Sequence, residues 1–269
     1  MRGLLFYDSV GAKRNEWFIA RLIESAKDRG LTLDLVIKNK GDDLALPYHP
    51  DFAIVRAINP ALSEHLEALG IKVFNNSLTA RIANDKWQTY LFARELGIRV
   101  MPTEAIISGS DVPDFTDQRV VKSVDGHGGS EVFLVNNLKE CKEILSLHQN
   151  KRFISQPLSS EPGVDMRVYM LGSTVLAAVK RTSRSDFRSN FSLGGNAELV
   201  QLPPKTEGTV ATIIEALGCD LVGIDFIRHD GEWVLNEIED VVGTRMLYAL
   251  TDIDAADEYI AHIVNRMKP

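Results

Sequence analysis

The chain has 269 residues, with 30 Lys+Arg against 37 Asp+Glu, a formal net charge of −7 and 45% hydrophobic residues. These are globular values, and the length suggests two or three subdomains rather than one core. The acidic balance excludes a general nucleic-acid binder, and no run of 18 uncharged apolar residues exists to span a membrane. Cys141 and Cys219 lack the spacing of a zinc site or a disulfide framework, so a reducing cytoplasm is the expected compartment.

Residues 3–7 (GLLFY) read as a strand rather than a signal peptide, because Asp8 follows and no cleavage site does. The polar stretch DSVGAKRN reads as a loop. Phe18, Ile19, Leu22, Ile23 and Ala26 recur at helical spacing and predict a helix over 16–28 that Gly30 stops. Strands follow at 31–37 and 51–57, then a helix over 60–69 and a strand at 71–75. That order predicts a small parallel α/β layer. A helix-rich stretch is expected over 78–96, closed by Gly97. Strands at 103–107, 119–124 and 131–135, a helix at 138–148 and a strand at 152–156 come next. RVVKSV and SEVFLV flank DGHGGS and predict a hairpin with a glycine-rich tip. Strands at 165–171 and 174–181, a helix at 207–217, two strands joined by HDGE and a helix over 253–267 complete the chain.

Three segments carry chemistry. Lys122 lies on a strand just before Gly126, Gly128 and Gly129, where backbone N–H groups can approach phosphate oxygens without a Cβ in the way. The segment is neither a Walker A loop nor GxGxxG, and a plain hairpin with a surface lysine is its alternative. Asp225 lies on one strand and Glu237 and Glu239 on the next, so period two puts three carboxylates on one face. Carboxylate oxygens suit Mg²⁺, and Asp240 adds to the charge; a solvated edge with alternating charge is the alternative. Lys180, Arg181, Arg184 and Arg188 form a basic cluster suited to a small anion, or to a solubilising loop.

The order of these segments resembles the ATP-grasp superfamily and, within it, the RimK-like carboxylate–amine ligases. The resemblance rests on NSLTARIANDKWQTYLFARELGIRVMPT, VVKSVDGHGGSEVFLV, ISQPL, VDMRVYMLGSTVLAAVKR, DFRSNFSLGG, LVGIDFI and LNEIEDVVG, and runs from about Asn76 to the C-terminus. It implies an α/β (α+β) architecture. A small Rossmann-like N-terminal α/β domain (1–78) precedes a central ATP-grasp subdomain (79–157) and a C-terminal one with the metal site (158–269).

The resemblance also assigns roles. Lys86 and Lys122 match the lysines that approach the nucleotide phosphates, and Gly126, Gly128 and Gly129 match the loop that closes over them. Gln156, Pro157 and Leu158 fall on the hinge that holds adenine. Pro157 stands where an acidic residue is common, leaving its carbonyl and the Leu158 N–H for pairing. Asp165 and Arg167 match the DxR pair, with Asp165 near the ribose or a phosphate-facing network. Arg188, Ser189 and Asn190 match the RSN segment that meets phosphate and substrate. Arg167, Arg188 and Asn190 are thus the expected catalytic residues. Asp225 and Glu237 match metal-binding acids for Mg²⁺ or Mn²⁺. Glu239 stands where the family usually has asparagine, keeping an oxygen ligand and adding a charge. Asp240-Val241-Val242-Gly243 replaces the family's proline-glycine. Arg245 is the expected receiver of a substrate carboxylate, with Tyr248 beside it.

The implied reaction passes a phosphoryl group from ATP to a carboxylate, and an amine then attacks the acylphosphate. The partners are ATP, a carboxylic acid and an amine (an amino acid or peptide, glutamate included), with neither nucleic acid nor membrane; a homo-oligomer is compatible. A small-molecule kinase and a non-catalytic nucleotide-binding adaptor are the alternatives.

Overall fold

The computed structural model describes residues 1–106, 112, 114–129, 131–183, 186–188 and 196–268. Strands β1 (Arg2–Tyr7), β2 (Thr32–Ile37), β3 (Phe52–Val55) and β4 (Lys72–Phe74) form a parallel sheet in the order β2-β1-β3-β4. Alternation along the strands sorts its two faces. Leu5, Tyr7 and Ile54 pack with Phe18, Ile19 and Leu22 of α2 (Glu16–Asp28), whereas Leu4, Phe6 and Val55 pack with Leu62 and Leu66 of α3 (Pro60–Ala68). The stretch expected to be a loop after β1 is instead a short helix, α1 (Ser9–Arg14). Asp8 starts it by accepting from the Gly11 N–H at 2.7 Å.

The helix-rich stretch over 78–96 comprises two helices, α4 (Ser77–Ala83) and α5 (Lys86–Glu95). Asp85 breaks the run because its carboxylate accepts from the Gln88 N–H at 2.9 Å, the geometry of a new N-cap. Lys86 thereby becomes the first residue of α5.

The second sheet is antiparallel and comprises β5 (Glu104–Ile106), β6 (Arg119–Ser123), β7 (Val132–Val135) and β8 (Phe153–Pro157), ordered β5-β8-β6-β7. One face is covered by α6 (Leu138–Leu147) through Cys141 and Leu145. The third sheet contains β9 (Val164–Leu171), β10 (Thr174–Thr182), β11 (Asn196–Val200), β12 (Leu221–His229) and β13 (Glu232–Glu239), antiparallel in the order β11-β10-β9-β12-β13. Helices α7 (Pro204–Leu217), α8 (Arg245–Leu250) and α9 (Ala255–Met267) belong to the same stretch. Neither β11 nor α8 is signalled in the sequence: β11 is largely exposed, and α8 is six residues long.

The third sheet carries unlike faces. Met166, Val168 and Met170 of β9, with Ile224 and Phe226 of β12, pack under Val210, Ile213 and Leu217 of α7. On the opposite face, Tyr169, Leu171 and Leu221 join the core beneath α2 and α9. The remainder of that face bears Asp165, Arg167, Arg181 and Asp225, all at least nine-tenths buried. Among the described residues no helix is long and apolar enough to cross a membrane.

Candidate active site

The charged face of the third sheet looks across a cleft at the second sheet. Lys122, Gln156 and Leu158 line one wall, and Asp165, Asp225 and Glu239 line the other. Register explains the second wall. Arg167, Asp225 and Glu237 occupy one cross-strand row of β9, β12 and β13, and Glu239 pairs with Gly223 in the next. Cross-strand neighbours are close enough to interact directly. Gly223 is required there, since a Cβ would lie 2.6 Å from Val242 Cγ2 and 3.6 Å from Arg167 Cδ.

Strict alternation along β13 would place Leu235 on the same face as Glu237. It does not, because a bulge intervenes: Asp225 pairs with Glu237 while Phe226 pairs with Leu235, leaving Asn236 as the extra residue. Leu235 therefore joins the apolar core, and Asn236 enters the cleft, where its Oδ1 accepts from Lys122 Nζ at 2.8 Å. Asn236 was not singled out from the sequence; its signal is the pair of adjacent polar residues, Asn236-Glu237, which interrupts the alternation of 237–239.

Ion pairs run along this wall. Arg167 donates to Asp225 Oδ1 at 2.7 Å and Oδ2 at 2.6 Å, and also to Glu239. Arg181 donates to Asp165 Oδ2 at 2.8 Å and Asp225 Oδ2 at 2.9 Å. Lys86 lies 3.0 Å from Glu237 and also donates to the Gly126 carbonyl, tying α5 to the glycine turn. From the other side, Arg188 donates to the Gly129 carbonyl at 2.9 Å while its remaining donors engage Asp186. Lys86, Lys122, Arg188 and the three glycines all line the cleft, whose free volume is about 130 Å³.

Several expectations are redirected. Arg167, expected to be catalytic, does not line the cleft but lies buried against Asp225 and Glu239, which it holds in place. Arg181, expected among free cations of the basic cluster, turns inward because its odd position on β10 shares the face of Val179. Lys180 points the other way and pairs with Glu198 at 3.2 Å. Asp240 is one residue out of phase with Glu239, so it leaves the cleft and accepts from Asn75 Nδ2 at 2.7 Å. The Leu158 N–H, expected to be open to adenine, donates to the Gln118 carbonyl at 3.3 Å. Gln156 donates to Thr103 Oγ1 at 2.8 Å, so at this hinge the side chain is structural.

Arg245 and Tyr248 do not reach the cleft. Arg245 is exposed at the start of α8, and its nearest polar contact is the Arg14 carbonyl at 3.4 Å. The Tyr248 hydroxyl bonds Asp254 at 2.9 Å and accepts from the Ala256 N–H at 2.9 Å, which commits it to the start of α9. Ser189, Asn190 and Arg184 lie outside the described residues.

Electrostatics follow from the geometry. Burial pushes the Lys122 ammonium down to about 8; Lys86 adds to the effect and Glu237 opposes it. Burial works against ionised Asp225, yet the Arg167 and Arg181 guanidiniums outweigh it and hold the carboxyl well below the usual range. Burial raises the Glu239 carboxyl to about 7, because one guanidinium shared with Asp225 cannot offset it and Asp225 and Glu237 add repulsion.

The expected cage of three carboxylates is not formed. Among the described residues no group of three or more His, Cys, Asp or Glu is gathered to hold a metal ion by itself. Both Asp225 oxygens face arginines. Glu237 and Glu239 each have one oxygen in a charged pair, leaving the other for a hard cation. That donor set suits Mg²⁺, which keeps waters and takes one or two carboxylates plus phosphates.

The chain is similar to known proteins in sequence and in fold. Residues 83–263 match the model of the RimK-like ATP-grasp domain. A probable alpha-L-glutamate ligase 1 of Shewanella denitrificans is 26% identical, over 92% of this chain and 94% of that one. In fold the chain is similar to a RimK domain ATP-grasp protein of Sphaerobacter thermophilus (TM-score 0.72, 20% identity, 98% of this chain and 100% of that one). It is also similar to the D-alanine–D-alanine ligase of Bacillus anthracis (TM-score 0.77, 15% identity, 99% of this chain and 97% of that one). With the family model covering well over half of its residues, the chain belongs to the RimK-like ATP-grasp family, a family of ATP-dependent carboxylate–amine ligases.

Proposed function

We propose that the chain is an ATP- and Mg²⁺-dependent ligase that joins a carboxylate to an amine through an acylphosphate, in three units spanning 1–78, 79–157 and 158–269. The observation that carries this reading is the arrangement of Lys86, Lys122 and Arg188. All three cations line one cleft, and each donates to a neutral oxygen, those of Gly126, Asn236 and Gly129 respectively. A triphosphate offers each a charged acceptor in place of a neutral one, a stronger hydrogen bond. Removing those bonds also frees the glycine turn from α5 and from Arg188, so nucleotide binding and loop movement become one event.

Mg²⁺, held by Glu237 and Glu239 together with the phosphates, would neutralise charge on the β- and γ-phosphates. The chain's own residues do the positioning. Lys86 and Lys122 face the phosphates, Arg188 covers them from the loop side, and the buried Arg167–Asp225–Arg181 array fixes the floor. Carboxylate oxygen attacks the γ-phosphorus and ADP leaves. The amine nitrogen then attacks the carbonyl carbon, phosphate departs and the nitrogen loses a proton. Closure of the turn keeps water from the acylphosphate.

Glutamate is proposed as one substrate, on the names of the curated relatives. Arg245, which has no carboxylate partner among the described residues, is proposed to receive a substrate carboxylate outside the nucleotide cleft. Tyr248 drops out of that proposal because its hydroxyl is committed to α9. The expected compartment is the cytoplasm. A phosphate-release screen over pairs of amino acids and small acids, with mass spectrometry of products, tests the reading. A stable phosphoester would instead indicate a kinase, and an absence of turnover an adaptor.

A further inference from the structure

The segment between β13 and α8 is held by two side chains that reach it from other elements. Arg56 Nη2 donates to the Val242 carbonyl at 2.7 Å, and the Tyr169 hydroxyl donates to the Gly243 carbonyl at 3.1 Å. Arg56 directly follows β3, and its N–H donates to the Phe6 carbonyl of β1 at 2.8 Å, so it continues the parallel pairing beside Tyr7. Alternation gives its side chain the face of Ile54, in the same core as Val242 and Tyr169. There the guanidinium lies over the Phe18 ring, 5.4 Å from its centroid.

Burial of this cation is costly. Arg56 is 5% exposed, and its Nε and Nη1 atoms are buried with no hydrogen-bond partner among the described residues. Asp240 feels its charge, but the Asp240 carboxylate oxygens bond Asn75 and Asn84 instead. The guanidinium thus donates to one neutral oxygen, that of Val242. Taking a cation out of water for a single neutral acceptor costs stability, so the contact calls for a role other than holding the fold.

Peptide geometry supplies that role. The 242–243 and 243–244 bonds are trans, and in a planar trans peptide the C=O and N–H point in opposite directions. Drawing the Val242 oxygen inward to Arg56 turns the Gly243 N–H outward. Drawing the Gly243 oxygen to Tyr169 likewise turns the Thr244 N–H away from that hydroxyl. Neither N–H has an acceptor among the described residues. Gly243 is exposed, its φ lies outside the left-handed region, and a Cβ on it would meet nothing within 4 Å. Neither conformation nor packing requires glycine there, and the bare backbone lets a ligand come close to the N–H. Arg245, two residues on, is exposed as well.

We propose that Arg56 and Tyr169 are positioning residues for the carboxylate substrate. They hold the Val242–Thr244 backbone so that the Gly243 N–H faces the substrate carboxylate, with Arg245 beside it. The nature of the ligand rests on the ligase reading; the direction of the N–H rests on the two hydrogen bonds alone.

Amide NMR of the full chain labelled with ¹⁵N-glycine, saturated with a non-hydrolysable ATP analogue and Mg²⁺, tests it. The Gly243 signal is identified by its loss in Gly243→Ala, and glutamate and acetate are the titrants. The Gly243 amide should shift saturably with at least one of them, with Kd below about 10 mM. Arg56→Met and Tyr169→Phe should each weaken that response about tenfold or more, while the nucleotide analogue binds within about twofold of the parent. Tyr7→Phe removes a buried, unpartnered hydroxyl from the neighbouring strand position and should leave the response unchanged. Tyr169→Phe decides the matter should Arg56→Met fail to fold. No saturable shift of Gly243 in the parent, an unchanged response in the foldable variants, or an equal loss in Tyr7→Phe would overturn the proposal. A Gly243 that responds in a chain forming no amide would count against the ligase reading and support the positioning role.

Discussion

Lys122 should make nucleotide affinity depend on pH in a direction set by its surroundings. In the free protein its ammonium titrates near 8, because it is buried in the cleft beside Lys86 with only a neutral Asn236 oxygen as hydrogen-bond partner. A triphosphate favours the charged form, so binding raises this pKa and takes up a proton wherever Lys122 was neutral. With a free pKa of about 8 and a bound pKa near the ordinary ~10.4, the apparent Kd for ATP rises about tenfold from about pH 7 to about pH 9. That is a loss of roughly 1.4 kcal/mol, the equivalent of one pKa unit. Calorimetry in buffers of differing ionisation enthalpy reads both the affinity and the protons taken up. Lys122→Arg should bind with a flat profile because guanidinium stays charged, and Lys122→Met should bind weakly at every pH. An unchanged slope in Lys122→Met, or no proton uptake at about pH 9, would refute the reasoning.

Other consequences can be read separately. Arg181→Met leaves Asp165 and Asp225 buried without one of their cations and should cost about 3–5 kcal/mol in urea unfolding. Glu239 has a raised pKa in the folded chain, so the unfolded state binds fewer protons and stability falls as pH rises from 4.5 to about 7. Glu239→Gln should flatten that segment of the stability–pH curve, and a curve identical to the parent would contradict the assignment. Gly126→Ala places a Cβ 2.9 Å from Glu131 Oε2 and 3.2 Å from Ser123 Cβ, so the turn must shift. Its KM for ATP should rise severalfold while Tm changes little. Arg245→Ala should leave ATP affinity within about twofold and raise KM for the acid substrate, since a lost exposed contact acts only on the group it holds.

Much of this arrangement was legible in the sequence, for identifiable reasons. The helix over 16–28 has a full apolar stripe and a glycine stop, and its observed bounds are Glu16–Asp28. The hairpin around DGHGGS is β6 and β7. Period two correctly places Asp225, Glu237 and Glu239 on one face. What escaped was set by tertiary structure. The adjacent polar pair Asn236-Glu237 marks a break in alternation but not the bulge that turns Asn236 into the cleft, so Asn236 went unnoticed although it meets Lys122. Composition showed Arg167 and Arg181 as positive charge, but only register reveals that they are spent on Asp165, Asp225 and Glu239 beneath the cleft. The break before Lys86 depended on Asp85 acting as a cap inside a stretch whose apolar spacing runs through it.

The central claim is that Lys86, Lys122 and Arg188 exchange neutral oxygens for a triphosphate that activates a carboxylate. Phosphate release from ATP with glutamate as acid and a panel of amines, with [¹⁸O]-carboxylate glutamate as tracer, measures this most directly. The account predicts release that requires both acid and amine, with ¹⁸O recovered in phosphate and an amide of matching mass. Release without ¹⁸O transfer from any acid tested, or an amide formed with the displaced ¹⁸O found in AMP or water rather than in phosphate, would contradict it.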